Sequence, residues 1–394
     1  MKILFATDTY PPHANGTAYF VYRLAHQLVL RGHTVSVVAP SETFANTKST
    51  DREGITVYGI RSVPYFNYPK FRMSPWPLIS KKLVRKIVKD TSPDIIHLQA
   101  HFSIGSAVFE SAKKYPIPIV GTNHYQPENL IHYLPLPKII QDKIVEFGWR
   151  WFAKVFSNLD AVTTPTKTAA KIVAGIGFDK PITVISNGIS LKRFKPSTAN
   201  NRIRQTYHIP QNKPVLLFVG RLDKEKNLDV VIKASKAALK TCDFQLVIAG
   251  IGAIGPQLKK LCKHLKIEKN VTFTGFVPDK DLPHLYQTSD IFVIDGIAEL
   301  QSIATMEAMA SGLPVLAANA KALPELVHDG QNGFLFPPKS AHILSEKIIK
   351  LVTNNSLRQK MAKESLAIIK KHDIKNTIMQ FEKLYQAQID RHSN

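Results

Sequence analysis

A chain of 394 residues, 44% hydrophobic and 21% charged, is too long for one ordinary core and has the composition of a soluble globular protein of two domains. No apolar run approaches the roughly 20 residues a membrane span needs. The two cysteines, Cys242 and Cys262, have no metal-ligand spacing, so a bilayer span, a disulfide framework and a cysteine metal site are all excluded. The formal net charge of +22 is the abnormal quantity, because such a field attracts polyanions: nucleic acid, anionic lipid headgroups or phosphorylated substrates.

The opening MKILFATDTY passes from a Met and one Lys straight into a strand, with no long apolar leader, which makes the cytoplasm the expected compartment. Short β-branched runs then alternate with helical stretches: KILFAT, a helix over 17–31, TVSVVAP, and onward through DIIHL, PIPIVGT, DAVTTP and ITVIS. The pattern restarts after the polar segment 197–213 with PVLLFVG, a helix over 228–240, FQLVIAG, NVTFTG, DIFVID, a helix over 302–310 and PVLAAN. This alternation predicts parallel sheets covered by helices on both faces. The fold class is therefore α/β, with two Rossmann-like, doubly wound domains facing across a cleft. The boundaries expected are 1–195, 196–372 and a last helix, 373–394, that crosses back onto the first domain. Functional side chains belong just after strands, where open parallel sheets bind their ligands.

The segment beginning at Ala298, AELQSIATMEAMASGLPVLAANAKALPELVHDGQNGFLF, carries the most chemistry. Glu299 follows DIFVID by a short loop, and Glu307 lies eight residues on, two turns into a helix. Between them Gln301, Ser302 and Ile303 occupy the loop-to-helix turn, where free backbone N–H groups and the helix dipole favour a phosphate. A carboxylate on either side of an anion site accepts hydrogen bonds from sugar hydroxyls. Glu299 is the candidate for a hexose and Glu307 for a ribose; two unrelated glutamates on a solvated helix would show the same spacing.

The Glu-x7-Glu spacing, AMASGLPV and ALPELVHDGQNGFLF together resemble the donor-binding signature of retaining glycosyltransferase family 4, whose fold is GT-B. FVGRLDKEKN at 218–227, VISNGISLKRF at 184–194 and TDTYPPHANGT at 7–17 resemble further family segments, in the family's order. Glycolipid-forming glucosyl- and mannosyltransferases are similar enzymes. The resemblance implies that Arg221 and Lys226 offset the charge of a donor diphosphate, a task suited to a planar guanidinium fork and a flexible ammonium. It implies close backbone approach at Gly16 and Gly250, a base over residues 275–277 with Phe276 and Val277, and His124 beside the reacting sugar. The nucleotide-sugar is a co-substrate, and neither a cofactor nor a metal is implied. Two departures stand out: Asn15 precedes Gly16 where the family commonly has two glycines, and Leu300, Gln301 and Ser302 replace Gly-Phe-Gly. Gln301 and Ser302 add polar groups able to read a hydroxyl.

GIGAIG at 250–255 fits the glycine-rich dinucleotide fingerprint and makes a nicotinamide oxidoreductase the rival, although the strand NVTFTG ends without the acidic residue for a cofactor ribose. Asp279-Lys280-Asp281 is a nominal metal motif that reads better as a helix N-cap at Asp281. A nucleic-acid-binding protein is the other rival, but no helix-turn-helix, finger or single-strand aromatic motif accompanies the charge. An epimerase or phosphorylase of the same fold would want paired acid/base carboxylates or a pyridoxal-phosphate lysine, and neither signature is present. Trp76–Lys89 sets Ile79, Leu83, Val84, Ile87 and Val88 on one stripe with Lys81, Lys82, Arg85, Lys86 and Lys89 around it. That segment is the candidate contact with an anionic membrane surface, on the inner face of the cell membrane; a helix docked on the sheet is the alternative. The aromatic, basic stretch 132–152 is a candidate wall of an acceptor entrance.

Overall fold

The computed structural model describes residues 1–12, 15–65, 68–74, 81–127, 136–197 and 201–393. The chain divides into two compact units, Met1–Ser186 with Thr377–Asn394, and Asn187–Asn376. The boundary expected at Lys195 thus moves to Ser186. Ile189 and Phe194 are buried in the core of the second unit, and the Ile189 N–H donates to the His372 carbonyl at 2.8 Å. Residues 373–376 also stay with that unit, because the Ile374 N–H donates back to the Ile189 carbonyl at 2.9 Å.

In the first unit the strands are β1 (Lys2–Ala6), β2 (Thr34–Pro40), β3 (Thr47–Thr50), β4 (Thr56–Ile60), β7 (Ile95–Leu98), β8 (Ile119–Thr122), β9 (Ala161–Thr164) and β10 (Ile182–Val184), with a separate hairpin of β5 (Val63–Tyr65) and β6 (Tyr68–Met73). Among the described residues they form one sheet in the order β10-β9-β8-β7-β1-β2-β4-β3. Every pairing is parallel except β3 on β4. The helices α1 (Gly16–Leu30), α2 (Lys81–Thr91), α3 (Ser103–Ala112), α4 (Lys138–Phe156) and α5 (Lys167–Ala174) supply the crossovers. Strands β1, β7 and β8 are buried along nearly their whole length, as expected of parallel strands covered on both faces.

The second unit carries β11 (Val215–Val219), β12 (Gln245–Ala249), β13 (Val271–Gly275), β14 (Ile291–Ile294), β15 (Val315–Ala318) and β16 (Gly333–Phe336). They form an all-parallel sheet in the order β13-β12-β11-β14-β15-β16. Its helices are α6 (Asn201–Thr206), α7 (Leu228–Ala238), α8 (Gly255–His264), α9 (Leu282–Gln287), α10 (Ile303–Ala310), α11 (Ala341–Thr353) and α12 (Asn355–Ile369). The final helix, α13 (Ile374–Ser393), belongs to the first unit from Thr377 onward. There Phe381 and Tyr385 are fully buried, and Glu382 pairs with Arg31 at 2.7 Å and His33 at 2.8 Å.

Both sheets reverse direction once. In the first unit the order runs outward from β1 to β2 on one side and from β7 through β10 on the other; in the second, β11 to β13 go one way and β14 to β16 the other. The crevices at the carboxyl ends of β1/β7 and β11/β14 are therefore the topological switch points where such sheets take ligands.

Candidate functional site

At the switch point of the second unit two loops meet. After β11 the chain passes through Gly220, Arg221 and a single 3-10 turn, Lys224–Lys226, to Asn227, which stands in left-handed backbone at φ 46° before α7 begins. Asn tolerates that conformation, and its side-chain amide donates to the Asp295 carbonyl at 2.8 Å. After β14 the second loop brings Glu299 to Lys226: the ammonium lies 2.5 Å from the carboxylate, with both side chains largely buried. Two of the candidate site residues, Lys226 and Glu299, are thus brought together. Arg221 is held by two carboxylates of its own loop, Asp223 at 2.7 Å and Glu225 at 3.3 Å. These buried acids set the guanidinium plane while the Arg side chain keeps 37% exposure.

Ser302 caps α10 with its hydroxyl oxygen, accepting from the Thr305 N–H at 3.2 Å and the Thr305 hydroxyl at 2.8 Å. Gln301 accepts the Asn187 N–H at 2.7 Å. Ser302 thus caps the helix, as Ser at an N-cap commonly does, and the Gln301 carbonyl ties down the segment at Asn187. Ile303 opens α10, whose first-turn N–H groups lack intrahelical acceptors. Glu307, 4% exposed, accepts a hydrogen bond from Tyr286 of α9 at 3.0 Å.

Gly250 has φ 140°, and a Cβ there would stand 1.9 Å from the Gly220 carbonyl oxygen; at Gly252 it would meet the Leu222 backbone at 2.4 Å. The glycine turn therefore lets the loop after β12 pack on the loop after β11, a structural use that any approach to a ligand would have to share. Phe276 is 55% exposed while Val277 is buried in the core, so of that pair only the Phe ring offers a surface. Asp281 sits at the start of α9 without capping it. Its carboxylate accepts from the Tyr207 hydroxyl at 3.2 Å, and Asp279 pairs with Arg193 at 2.6 Å, so the nominal metal motif points to two separate partners.

Sequence reasoning missed Asp295, fully buried at the end of β14. Both of its carboxylate oxygens face the Lys339 N–H at 3.3 Å, and burial raises its pKa to about 7. An acidic residue closing a buried strand at a switch point was the available signal.

In the first unit Gly16 opens α1 behind the N-cap Asn15, whose side chain accepts the Ala18 N–H at 2.9 Å; residues 13 and 14 of that loop lie outside the described residues. His124 follows β8, meets the Phe20 ring at a tilt of 55° with centroids 4.9 Å apart, and bonds through Nε2 to Gln99 at 2.9 Å. Burial lowers its pKa to about 3, which keeps it neutral. Asp8, at the end of β1, accepts from the Ser103 hydroxyl and the Ile104 N–H at 2.9 and 3.0 Å, binding the β1 loop to the start of α3. Burial raises its pKa.

The apolar stripe of the basic helix follows the docked alternative. Val84, Ile87 and Val88 of α2 are buried in the core of the unit, so its apolar stripe is docked within the unit while Lys81, Lys82, Arg85, Lys86, Lys89 and Asp90 face solvent; Trp76 and Ile79 lie outside the described residues. On α4, by contrast, Ile139 is 73% and Phe147 63% exposed, with Ile140 and Ile144 beside them. Among the described residues no helix is long and apolar enough to cross a membrane, and no group of three or more His, Cys, Asp or Glu side chains could hold a metal ion.

A model of the glycosyltransferase family 4 matches residues 14–193 and one of the group 1 glycosyl transferases matches residues 199–367. The chain is 29% identical over 377 residues to an alpha-monoglucosyldiacylglycerol synthase of Streptococcus pneumoniae, covering 90% of this chain and 83% of that protein. It is 26% identical over 357 residues to a GDP-mannose-dependent alpha-mannosyltransferase of Mycobacterium tuberculosis, covering 89% and 88%. In fold it is similar to a sucrose-phosphate synthase from Thermosynechococcus elongatus, with a TM-score of 0.80 at 17% identity over 99% of this chain and 100% of the other. It is also similar to HepE of Anabaena solved with UDP-glucose, with a TM-score of 0.73 at 20% identity over 98% and 100%. With both halves matched in order and the two doubly wound sheets in place, the chain belongs to the family 4 glycosyltransferases of GT-B fold and is a hexosyltransferase.

Proposed function

We propose that the protein transfers a hexose, with retention, from a nucleoside diphosphate sugar to a hydroxyl of a lipid acceptor, without a metal ion, from the cytoplasmic side of an anionic membrane. The observation that carries the donor half is the Lys226–Glu299 pair at the β11/β14 switch point, 2.5 Å apart and followed directly by the start of α10. Lys226 and Arg221 meet the diphosphate, the first turn of α10 adds N–H donors, Glu299 accepts from the hexose hydroxyls, and Glu307, steadied by Tyr286, accepts from the ribose. The exposed Phe276 ring stacks on the base. His124, neutral and oriented by Gln99, bonds to the transferred sugar.

In the transfer the bond from the anomeric carbon to the diphosphate oxygen breaks, and a bond to the acceptor oxygen forms on the same face. The acceptor proton passes to the departing phosphate oxygen, so no protein nucleophile is required. Two fixed cations stabilise the charge that develops on the leaving group, an electrostatic contribution of the kind that dominates many enzymes.

The lipid acceptor is supported by the apolar face of α4, where Ile139, Ile140, Ile144 and Phe147 stand exposed beside Lys138 and Lys143, with Asp142 and a Glu146–Arg150 pair at 3.0 Å on the same helix. Exposed apolar side chains of this kind suit a bilayer surface, and the basic face of α2 supplies the charge that an anionic one attracts. Diacylglycerol or its glycosylated form heads the list of acceptors, in keeping with the named activity of the Streptococcus relative. The test is release of nucleoside diphosphate from UDP-glucose, UDP-galactose, UDP-N-acetylglucosamine and GDP-mannose in EDTA, with and without phosphatidylglycerol vesicles carrying dioleoylglycerol. Turnover of one donor in EDTA, raised by the vesicles, is expected. No turnover of any donor, or turnover that needs added metal, refutes the reading.

A further inference from the structure

The loops after β7 and β8 leave neighbouring parallel strands, registered with Leu98 opposite Gly121. They are tied by the Gln99–His124 hydrogen bond of 2.9 Å and by the edge-on contact of the His101 and Tyr125 rings, centroids 4.6 Å apart. Five side-chain atoms in these loops are buried with no hydrogen-bond partner: Gln99 Nε2, Asn123 Nδ2, Gln126 Oε1 and both ring nitrogens of His101. All four side chains are at most 4% exposed. Buried polar groups are nearly all paired in folded proteins, because an orphaned one keeps its full desolvation cost. Five of them lie in two adjoining loops at the carboxyl ends of β7 and β8, where open parallel sheets take their ligands, and leave hydrogen-bonding capacity that the described side chains do not use.

The set is chemically selective. Gln99 and Asn123 offer amide donors, Gln126 offers a carbonyl acceptor, and burial holds the His101 imidazole neutral, its pKa lowered to about 3, so that it donates at one nitrogen and accepts at the other. None of the four carries charge, so an anionic group would find no cation among them. A hydroxyl donates and accepts at once, and vicinal hydroxyls do so repeatedly. Phe102, Tyr125, Trp151 and Phe152 close on His101 with ring centroids within 5.6 Å, giving apolar walls of the kind that line small-molecule sites.

We propose that Gln99, His101, Asn123 and Gln126 form a subsite for uncharged vicinal hydroxyls, the polyol head of the acceptor, with His101 as a specificity-determining residue. The inference rests on the hydroxyl-acceptor reading above and narrows it: the head is a glycerol or a sugar, not a phosphate. Loops that bind ligands open locally at small free-energy cost, which gives a hydroxyl access to buried atoms.

The test is equilibrium binding of methyl α-D-glucopyranoside and glycerol, against inorganic phosphate and sn-glycerol 3-phosphate, to the full chain by ligand-observed NMR. Saturable binding of the neutral polyols is expected, with His101→Phe weakening it by about tenfold or more while keeping the ring packing. Gln126→Met, which keeps the side-chain volume, is expected to weaken it as well, so the outcome does not hang on one variant. Neither change should lower the melting temperature, since each removes orphaned polar atoms. Absence of polyol binding, as when the atoms merely hold ordered water, overturns the proposal, as does a preference for the phosphates or wild-type binding by both variants. Failure of every nucleotide-sugar to turn over would instead refute the transfer reading and leave polyol binding standing.

Discussion

The side-chain amide of Asn227 donates to the backbone carbonyl of Asp295 at 2.8 Å, joining the loop that carries Lys226 to the loop that carries Glu299. Asn227 does so from left-handed backbone, where most side chains are strained. Asn227→Ala loses both the bond and the conformational tolerance, and should cost about 1–3 kcal/mol of stability and weaken donor binding. Asn227→Gly restores the backbone freedom alone. Chemical denaturation should place it between the wild type and the Ala variant; equal stability of all three would remove the tie from the structure's supports.

Tyr286 donates to Glu307 at 3.0 Å. Tyr286→Phe leaves the ring in the core and removes this one hydrogen bond, so the donor KM should rise about three- to tenfold with little change in kcat. A fall in kcat at unchanged KM would show that Glu307 does not hold the ribose in the ground state.

Asp295 gives the second unit a pH dependence. Burial raises its folded pKa to about 7 from 3.8, so the folded state binds the proton more tightly than the unfolded one. The associated stability is complete below about pH 4 and is lost as pH rises through about 7. Asp295→Asn should flatten that part of the profile in thermal unfolding between pH 5 and pH 8. A variant whose unfolding keeps the wild-type slope would assign the slope to other groups.

The α4 surface is tested by Ile139→Glu with Phe147→Glu. Both side chains are exposed, so the melting temperature should stay within about 2 °C of wild type, as surface substitutions usually do. Sedimentation with phosphatidylglycerol vesicles should fall by about tenfold or more, because two apolar anchors are replaced by charges of the lipid's sign. Unchanged vesicle binding would move the membrane contact elsewhere, with the basic face of α2 next in line.

Much of this was legible in the sequence, for identifiable reasons. Buried parallel strands such as β1 and β11 are continuous apolar runs, so the βαβ alternation and its restart could be read directly. β3 could not, because TKST is exposed along its whole length and carries no apolar period. The Lys226–Glu299 pair joins residues 73 apart in sequence, and only motif order put them at one site. The structural bonds of Gln301 and Ser302 were not legible, because a polar side chain in a loop does not announce that the backbone will claim it. The basic helix stayed open between two readings for a related reason: a stripe of Val and Ile beside lysines looks the same whether its partner is lipid or the protein's own sheet. His101 gave no sign at all, since a buried imidazole becomes informative only when its neighbours prove to be rings and not acceptors.

The most direct measurement is calorimetric titration, in EDTA, of a nucleoside diphosphate and the matching nucleotide-sugar into the wild type, Lys226→Ala and Glu299→Gln. If the pair at the β11/β14 switch point holds the donor, Lys226→Ala should weaken both ligands by about tenfold or more, and Glu299→Gln should weaken the nucleotide-sugar while leaving the free diphosphate near its wild-type affinity. Wild-type affinity for both ligands in both variants would show that the donor binds elsewhere.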